Sequence, residues 1–230
     1  MKIIKFISNL GYDNTGKPVP MKRTLPDWYK KAESTYPIPS ENRVGAGLKK
    51  CMPYTDAMIA GYGLTFPTDV YVKTTENGDV DISWDRETPA GEFIMERPKE
   101  LGATMPRPYG FAPNHLVFTG RWGWKTPRGY SVLVTHPFNR VDMPFHTVTA
   151  LMDSDEFHAA GNIPFFIREN WEGVIKKGTV FAQLLPVKRD SWKMVENDQG
   201  LADIVDLHVA QARNDATDYK KTMWHRKKYD

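Results

Sequence analysis

Ile175-Lys176-Lys177-Gly178-Thr179-Val180-Phe181-Ala182-Gln183-Leu184-Leu185-Pro186 is the stretch from which the rest of the chain is best read. Lys-Gly marks a tight turn, and the apolar run Val180–Val187 after it marks a buried strand. Upstream, Ile163–Ile167 reads as a strand and Glu169–Glu172 as a turn. Phe145–Met152, Tyr130–Thr135 and His115–Trp124 read as further strands, the last two separated by the turn Thr126-Pro127-Arg128-Gly129. Val80–Trp84 returns from Asp69–Lys73 through Glu76-Asn77-Gly78-Asp79, where Asn-Gly suits the positive φ angles of a hairpin. Residues 2–8 are a first strand and Leu25–Glu33 a short helix with Pro26 in its first turn. Residues 36–47 read as loop. Residues 86–113, with five prolines, read as a long excursion. Beyond Trp192 the apolar period lengthens, and 200–226 is expected to be an amphipathic helix.

Short strands between turn signals predict a mainly β fold of the sandwich or barrel kind. The expectation is one domain over 1–230: an arm with a short helix over 1–50, a barrel core over 51–190 carrying the 85–114 excursion, and a C-terminal helix with a basic tail over 191–230. At 40% hydrophobic and 26% charged residues, the composition excludes a wholly disordered chain. The 31 basic and 28 acidic residues are too balanced to point to nucleic acid, except through the tail Lys220, Lys221, His225, Arg226, Lys227 and Lys228. Cys51 alone permits no intrachain disulfide and suggests a reducing, cytoplasmic setting. No apolar run approaches the length of a bilayer span, so no membrane partner is expected.

Three segments in order resemble the conserved core of the dUTPase and dCTP-deaminase β-clip superfamily. They are Ala60-Gly61-Tyr62-Gly63-Leu64, then Thr126-Pro127-Arg128-Gly129-Tyr130, then Met152-Asp153-Ser154-Asp155-Glu156-Phe157 followed by the Ile175–Pro186 stretch. The resemblance implies a β-clip barrel or distorted jelly roll and, by analogy, a homo-oligomer such as a trimer. It places Asp153 at the family's water-activating position and gathers Arg140, Asn139, His136, Asp155 and Gln183 around a ligand. Three departures weaken the enzyme reading: Gly63 stands where the family has a phosphate- and metal-holding aspartate, His136-Pro137-Phe138-Asn139-Arg140 replaces its Arg-Ser-Gly segment, and the glycine-rich C-terminal flap is missing. The expectation is a barrel that binds a small ligand or a protein without catalysis and needs no cofactor. Mg would enter only if nucleotide hydrolysis or deamination survived.

Trp122–Ser131, Pro137–Arg140, Asp153–Asp155 and Gly178–Arg189 also resemble a family of tailed-phage and bacterial proteins of unknown function. That likeness implies a phage or bacterial origin and no established activity; a host or phage protein as partner, or a virion role like that of the β-clip barrels that decorate capsids, are the accompanying expectations. As residues, Asp153 and Asp155 fall on one side of an extended segment and, with Asp142, His136, His146 or His158, are the types that hold a metal. A polar turn after a strand accounts for the pair more simply, and no metal site is expected. Trp122 and Trp124, on one face of their strand, read as packing residues.

Overall fold

Val180–Lys188, nine residues long, is the axis of the structure. We describe it from a computed structural model covering residues 2–8, 15–76, 78–87, 91–102, 105–158, 161–196, 200, 205–206 and 218–230. The chain falls into two compact units: residues 1–24 with 61–189, and residues 25–60 with 190–230. In chain order the strands are β1 (Lys5–Ser8), β2 (Val19–Pro20), β3 (Thr35–Ile38), β4 (Arg43–Ala46), β5 (Tyr62–Thr65), β6 (Val70–Thr74), β7 (Val80–Ser83) and β8 (Ile94–Glu96). They continue with β9 (Leu116–Thr119), β10 (Trp122–Lys125), β11 (Tyr130–Thr135), β12 (Phe145–Thr147), β13 (Ala150–Met152), β14 (Asn162–Ile167), β15 (Gly173–Ile175) and β16 (Val180–Lys188). The fold is mainly β, as the strand pattern predicts.

In the first unit, β16 is the middle strand of a five-stranded sheet ordered β13-β11-β16-β5-β2. Every neighbour pairs antiparallel. The Lys176–Thr179 turn that launches β16 is closed by the Thr179 N–H on the Lys176 carbonyl at 3.0 Å, with Gly178 at φ 82°. A bulge between Val180 and Ala182 breaks the register with β5, and Phe181 and Ala182 both join the core. A second sheet runs β12-β14-β9-β8, a third β15-β6-β7, and β1 pairs with β10. The Phe181 ring stacks on Phe118 of β9 at 4.3 Å and lies 5.1 Å from Phe165 of β14 and 6.0 Å from Phe145 of β12. The five- and four-stranded sheets therefore meet across one aromatic side chain.

Among the described residues no sheet closes on itself, so the hydrogen bonding forms open sheets and not a closed barrel. The cause is visible in two segments that read as single strands. His115–Trp124 is β9 and β10 in separate sheets, broken at Gly120–Arg121. Phe145–Met152 is β12 and β13, also in separate sheets, broken at Val148–Thr149. The 86–113 excursion contains β8, whose Ile94 pairs with Phe118, and Phe93 beside it is fully buried. Its prolines hide a strand too short to show a period.

In the second unit the expected N-terminal helix forms over Asp27–Lys31 behind Pro26. Residues 36–47 are not loop but largely the β3–β4 hairpin. A helix over Met52–Ile59, with Pro53 in its first turn, was not signalled by its sequence. Most of the helix expected over 200–226 lies outside the described residues. A helix is present at Asp218–Thr222 and has ended before Trp224. Asp56 accepts hydrogen bonds from Trp224 Nε1 and Lys227 Nζ, both at 2.7 Å, and so ties down part of the basic tail. Among the described residues no helix is long and apolar enough to cross a membrane.

Candidate functional site

The candidate residues separate into two groups at opposite ends of β11. At the Tyr130 end, β13 runs opposite β11, with Met152 facing Val132, so Asp153 emerges beside Ser131. Ser131 Oγ donates to Asp153 Oδ1 at 2.7 Å. Arg189, one residue past β16, donates from Nη1 to Asp153 Oδ1 at 3.3 Å and to Asp155 Oδ1 at 2.9 Å, and from Nη2 to Asp155 Oδ2. The Gly129 N–H adds a bond of 2.8 Å to Asp155 Oδ2. Arg189 and, second to it, the Gly129 N–H hold the Asp155 carboxyl far below the ordinary carboxylate range. The Asp155 side chain is 3% exposed and that of Asp153 65%.

The backbone here is a tight turn. The N–H groups of Glu156 and Phe157 both donate to the Asp153 carbonyl, at 3.1 and 2.9 Å. Ser154, wholly buried, accepts the Trp124 indole N–H at 3.0 Å and donates to the Met152 carbonyl. Trp124 is a buried packing residue, as its strand position predicts. A magnesium ion does not fit this arrangement. The Arg189 guanidinium fills the place between the two carboxylates, and its positive charge opposes a divalent cation there. Among the described residues no three His, Cys, Asp or Glu side chains gather as a metal-binding group.

At the Thr135 end lies a cleft of about 350 Å³ whose lining includes His136, Asn139, Arg140, His146, Phe111 and Arg168. Four residues of extended chain separate Ser131 from Thr135, or roughly 13 Å. Asp153 and Asp155 do not line this cleft, and the structure does not bring them together with Arg140. The segment from His136 is bent by a Pro137–Arg140 turn, with the Arg140 N–H on the Pro137 carbonyl at 3.2 Å and Asn139 at φ 61°. Asparagine is among the few side chains that tolerate this left-handed position. Gln183, buried on β16, accepts the Phe138 N–H at 2.9 Å through its side-chain oxygen. Arg140 forks onto Asp142, Nε to Oδ1 at 2.9 Å and Nη2 to Oδ2 at 3.1 Å.

His136 sits at the base of the segment. Its Nδ1 accepts the Thr147 N–H at 3.3 Å, which leaves Nε2 to donate to the Arg140 carbonyl at 3.0 Å. The bond accepted from Thr147 requires the neutral ring. Burial lowers its pKa to about 4, against the pull of the Arg140 carbonyl and with help from the nearby charges of His146 and Arg140. His146 stacks on His136 at 4.9 Å and is also lowered by burial. Arg168 lies over the Phe111 ring at 5.6 Å and donates to the Val141 carbonyl at 3.2 Å. Phe111 and Arg168 carried no sequence signal. They come from the excursion and the end of β14 and reach the cleft through the bridge between Phe111 and Arg168.

Two kinds of chemistry are thus held apart. One end of β11 has carboxylates neutralised by an arginine. The other has a concave surface with imidazole, guanidinium and aromatic groups and, among the described residues, no carboxylate in its lining. No family model and no curated protein matches the chain.

Proposed function

We propose that this protein is a small-ligand-binding protein on a dUTPase-like β-clip core, with the His136–Arg140 cleft as its binding site and no nucleotide hydrolysis at Asp153. The observation that carries this reading is the separation of the two groups along β11. A general base must lie within hydrogen-bond reach of the water it activates in a held substrate. Asp153 instead shares Arg189 with Asp155, at the far end of the strand from the cleft.

The β-clip reading is supported by where the motif segments lie. Tyr62–Leu64 is in β5, Tyr130 opens β11, Val180–Pro186 is in β16, and Asp153 follows β13. These four strands are consecutive neighbours in one sheet. The cleft volume falls within the range of small-molecule sites. Phe111 and the stacked imidazoles offer flat surfaces, and Arg168 offers donors to an acceptor group. The ligand class that fits is a small, flat molecule bearing an anionic or carbonyl edge.

The test is a calorimetric screen of nucleosides, nucleotides and aromatic carboxylates, with Arg168→Gln and His146→Ala as site variants. A ligand whose affinity falls in both variants, with no turnover of dUTP or dCTP in magnesium, is the expected result. Magnesium-dependent turnover that Asp153→Asn abolishes would refute it.

A further inference from the structure

A concavity larger than the His136–Arg140 cleft lies elsewhere in the first unit. It is about 710 Å³ in volume, and its lining includes Thr15, Lys17, Arg23, Thr65, Lys177 and Gly178. Three of these residues are cationic, and among the described residues none that lines the concavity is acidic. The chain as a whole carries 28 acids against 31 bases, so a concave surface with only one sign is not the result of general basicity.

The turn at Lys176–Gly178 explains how one ammonium is left for this surface. Asp69 accepts Lys176 Nζ at 2.9 Å and the Lys177 N–H at 2.7 Å. These two bonds hold the Asp69 carboxyl below its ordinary range. Asp69, just ahead of β6, is thereby taken up by the Lys176–Gly178 turn, and Lys177 lines the cleft while its backbone N–H is held. Elsewhere in the lining, around Arg23, the Met21 N–H donates to the Gly61 carbonyl at 3.1 Å and Thr24 Oγ1 donates to the Met21 carbonyl at 2.9 Å. These bonds fix the backbone that carries Arg23. At Gly178, nothing lies within 4 Å of the position a Cβ would take, so the turn leaves the surface open.

We infer that the concavity formed by Lys17, Arg23 and the Lys177–Gly178 turn is a binding site for small polyphosphorylated anions. Three cations around one concavity, two of them (Arg23 and Lys177) on backbone held by hydrogen bonds, suit a chain of phosphoryl groups, to which lysine and arginine donate charge-assisted hydrogen bonds. The adjoining crevice, which shares Thr15, Gly16 and Thr65 and is walled by Phe93, Phe118 and Trp122, has a volume of about 10 Å³. That is too small for a nucleobase. The crevice thus offers a base no pocket, and the recognition we assign is that of the phosphates by the three cations. The site is distinct from the His136–Arg140 cleft, with which it shares no lining residue.

The experiment is calorimetry on the full chain at low ionic strength with inorganic tripolyphosphate, ATP and dUTP. Saturable one-site binding is expected, with the three affinities within about threefold of one another, as recognition through phosphate alone implies. In the K17Q/R23Q/K177Q variant the affinity falls by roughly tenfold or more, the scale of losing even one charge-assisted contact. All three side chains are on exposed residues, and an unchanged melting temperature shows that the variant folds. The control is K5Q/K73Q/K125Q, which removes the same net charge from exposed positions elsewhere and leaves binding intact. The proposal is overturned by absence of saturable binding, by equal loss in the control, or by a strong preference among the three ligands. It is also overturned if Arg168→Gln abolishes binding, a result that would place the anion in the other cleft and leave the ligand-binding reading standing.

Discussion

His136 links a proton to the shape of a binding segment. Its two ring nitrogens have opposite roles, acceptor to Thr147 and donor to Arg140, so protonation costs the Thr147 bond. A histidine lowered to about 4 in the fold and near its ordinary 6.5 when unfolded is neutral in both states above 6.5. Between 6.5 and 4 the unfolded chain binds the extra proton, so stability falls as the pH drops through that window and levels off below it. The full loss is about 3 kcal/mol. Urea unfolding at stepped pH measures it. His136→Asn, which keeps an acceptor but no titrating ring, is expected to be less stable at pH 7.5 and to lack the slope between 6.5 and 4. A second contrast is between the two aspartates. Arg189→Gln strands the nearly unexposed Asp155 carboxylate and is expected to lower the melting temperature clearly, whereas Asp153→Asn, on a largely exposed group, leaves it almost unchanged. At this scale the sequence selected chemically relevant residue types, but not which backbone groups they serve. Gln183 reads as a ligand contact, and its amide oxygen is taken by Phe138 N–H. The Asp153–Asp155 spacing was legible, but Arg189 as their common partner lies 34 residues beyond Asp155 and reaches it only because β11 and β16 pair.

At the scale of elements, the strong signals are those with chemistry at a turn. Lys177-Gly178 before an apolar run gives β16, and the turn residues around Gly78 join β6 to β7. What the sequence does not display is where a strand changes sheets. At Gly120–Arg121 and Val148–Thr149 the alternation of side chains continues well enough to read as one strand, while hydrogen-bond partners change completely. Partner choice is set by distant segments and leaves no local trace. Two substitutions probe the elements. Phe181→Ala removes the ring that meets Phe66, Phe118, Phe145 and Phe165 at the bulge, and is expected to cost about 3–5 kcal/mol in chemical denaturation. Gly61→Ala places a Cβ 2.0 Å from the Leu184 carbonyl oxygen at a residue with φ 70°. The left-handed conformation alone costs about 1–3 kcal/mol, and the clash with β16 backbone adds to it. Expression of G61A at wild-type yield and stability would show that β5 and β16 do not approach as described.

For the whole molecule, the first unit is interrupted at a point where its ends are close. Residues 25–60 leave after Thr24 and return at Gly61, and β2 pairs with β5 through Val19–Gly63 and Pro20–Tyr62. A chain of 1–24 joined to 61–189 by a short glycine-serine linker is therefore expected to fold, with the near-ultraviolet dichroism of Trp84, Trp122, Trp124 and Trp171 retained. In the second unit Asp56 has a side chain 14% exposed and holds both Trp224 and Lys227. Asp56→Asn is expected to speed tryptic cleavage after Arg226 and Lys227, whereas Asp27→Asn, on a carboxylate 80% exposed, is not.

The central position of β16 has a consequence during synthesis. Its partners β5 and β11 leave the ribosome well before it, and β2 and β13 stand beside them with nothing yet between the two halves of the sheet. Until Val187 emerges, β5 and β11 each present an unpaired edge, and the apolar faces of Leu64, Val132 and Val134 have no sheet to complete. Unpaired edges of this kind are where nascent chains associate with one another. Release of the last strand is thus the committing event of translation for the first unit, and ribosomes stalled before Val180 are expected to carry chains that recruit holding chaperones, measured by crosslinking, whereas those stalled some forty residues beyond Arg189, a length that clears the exit tunnel by roughly 3.3 Å per extended residue, are not.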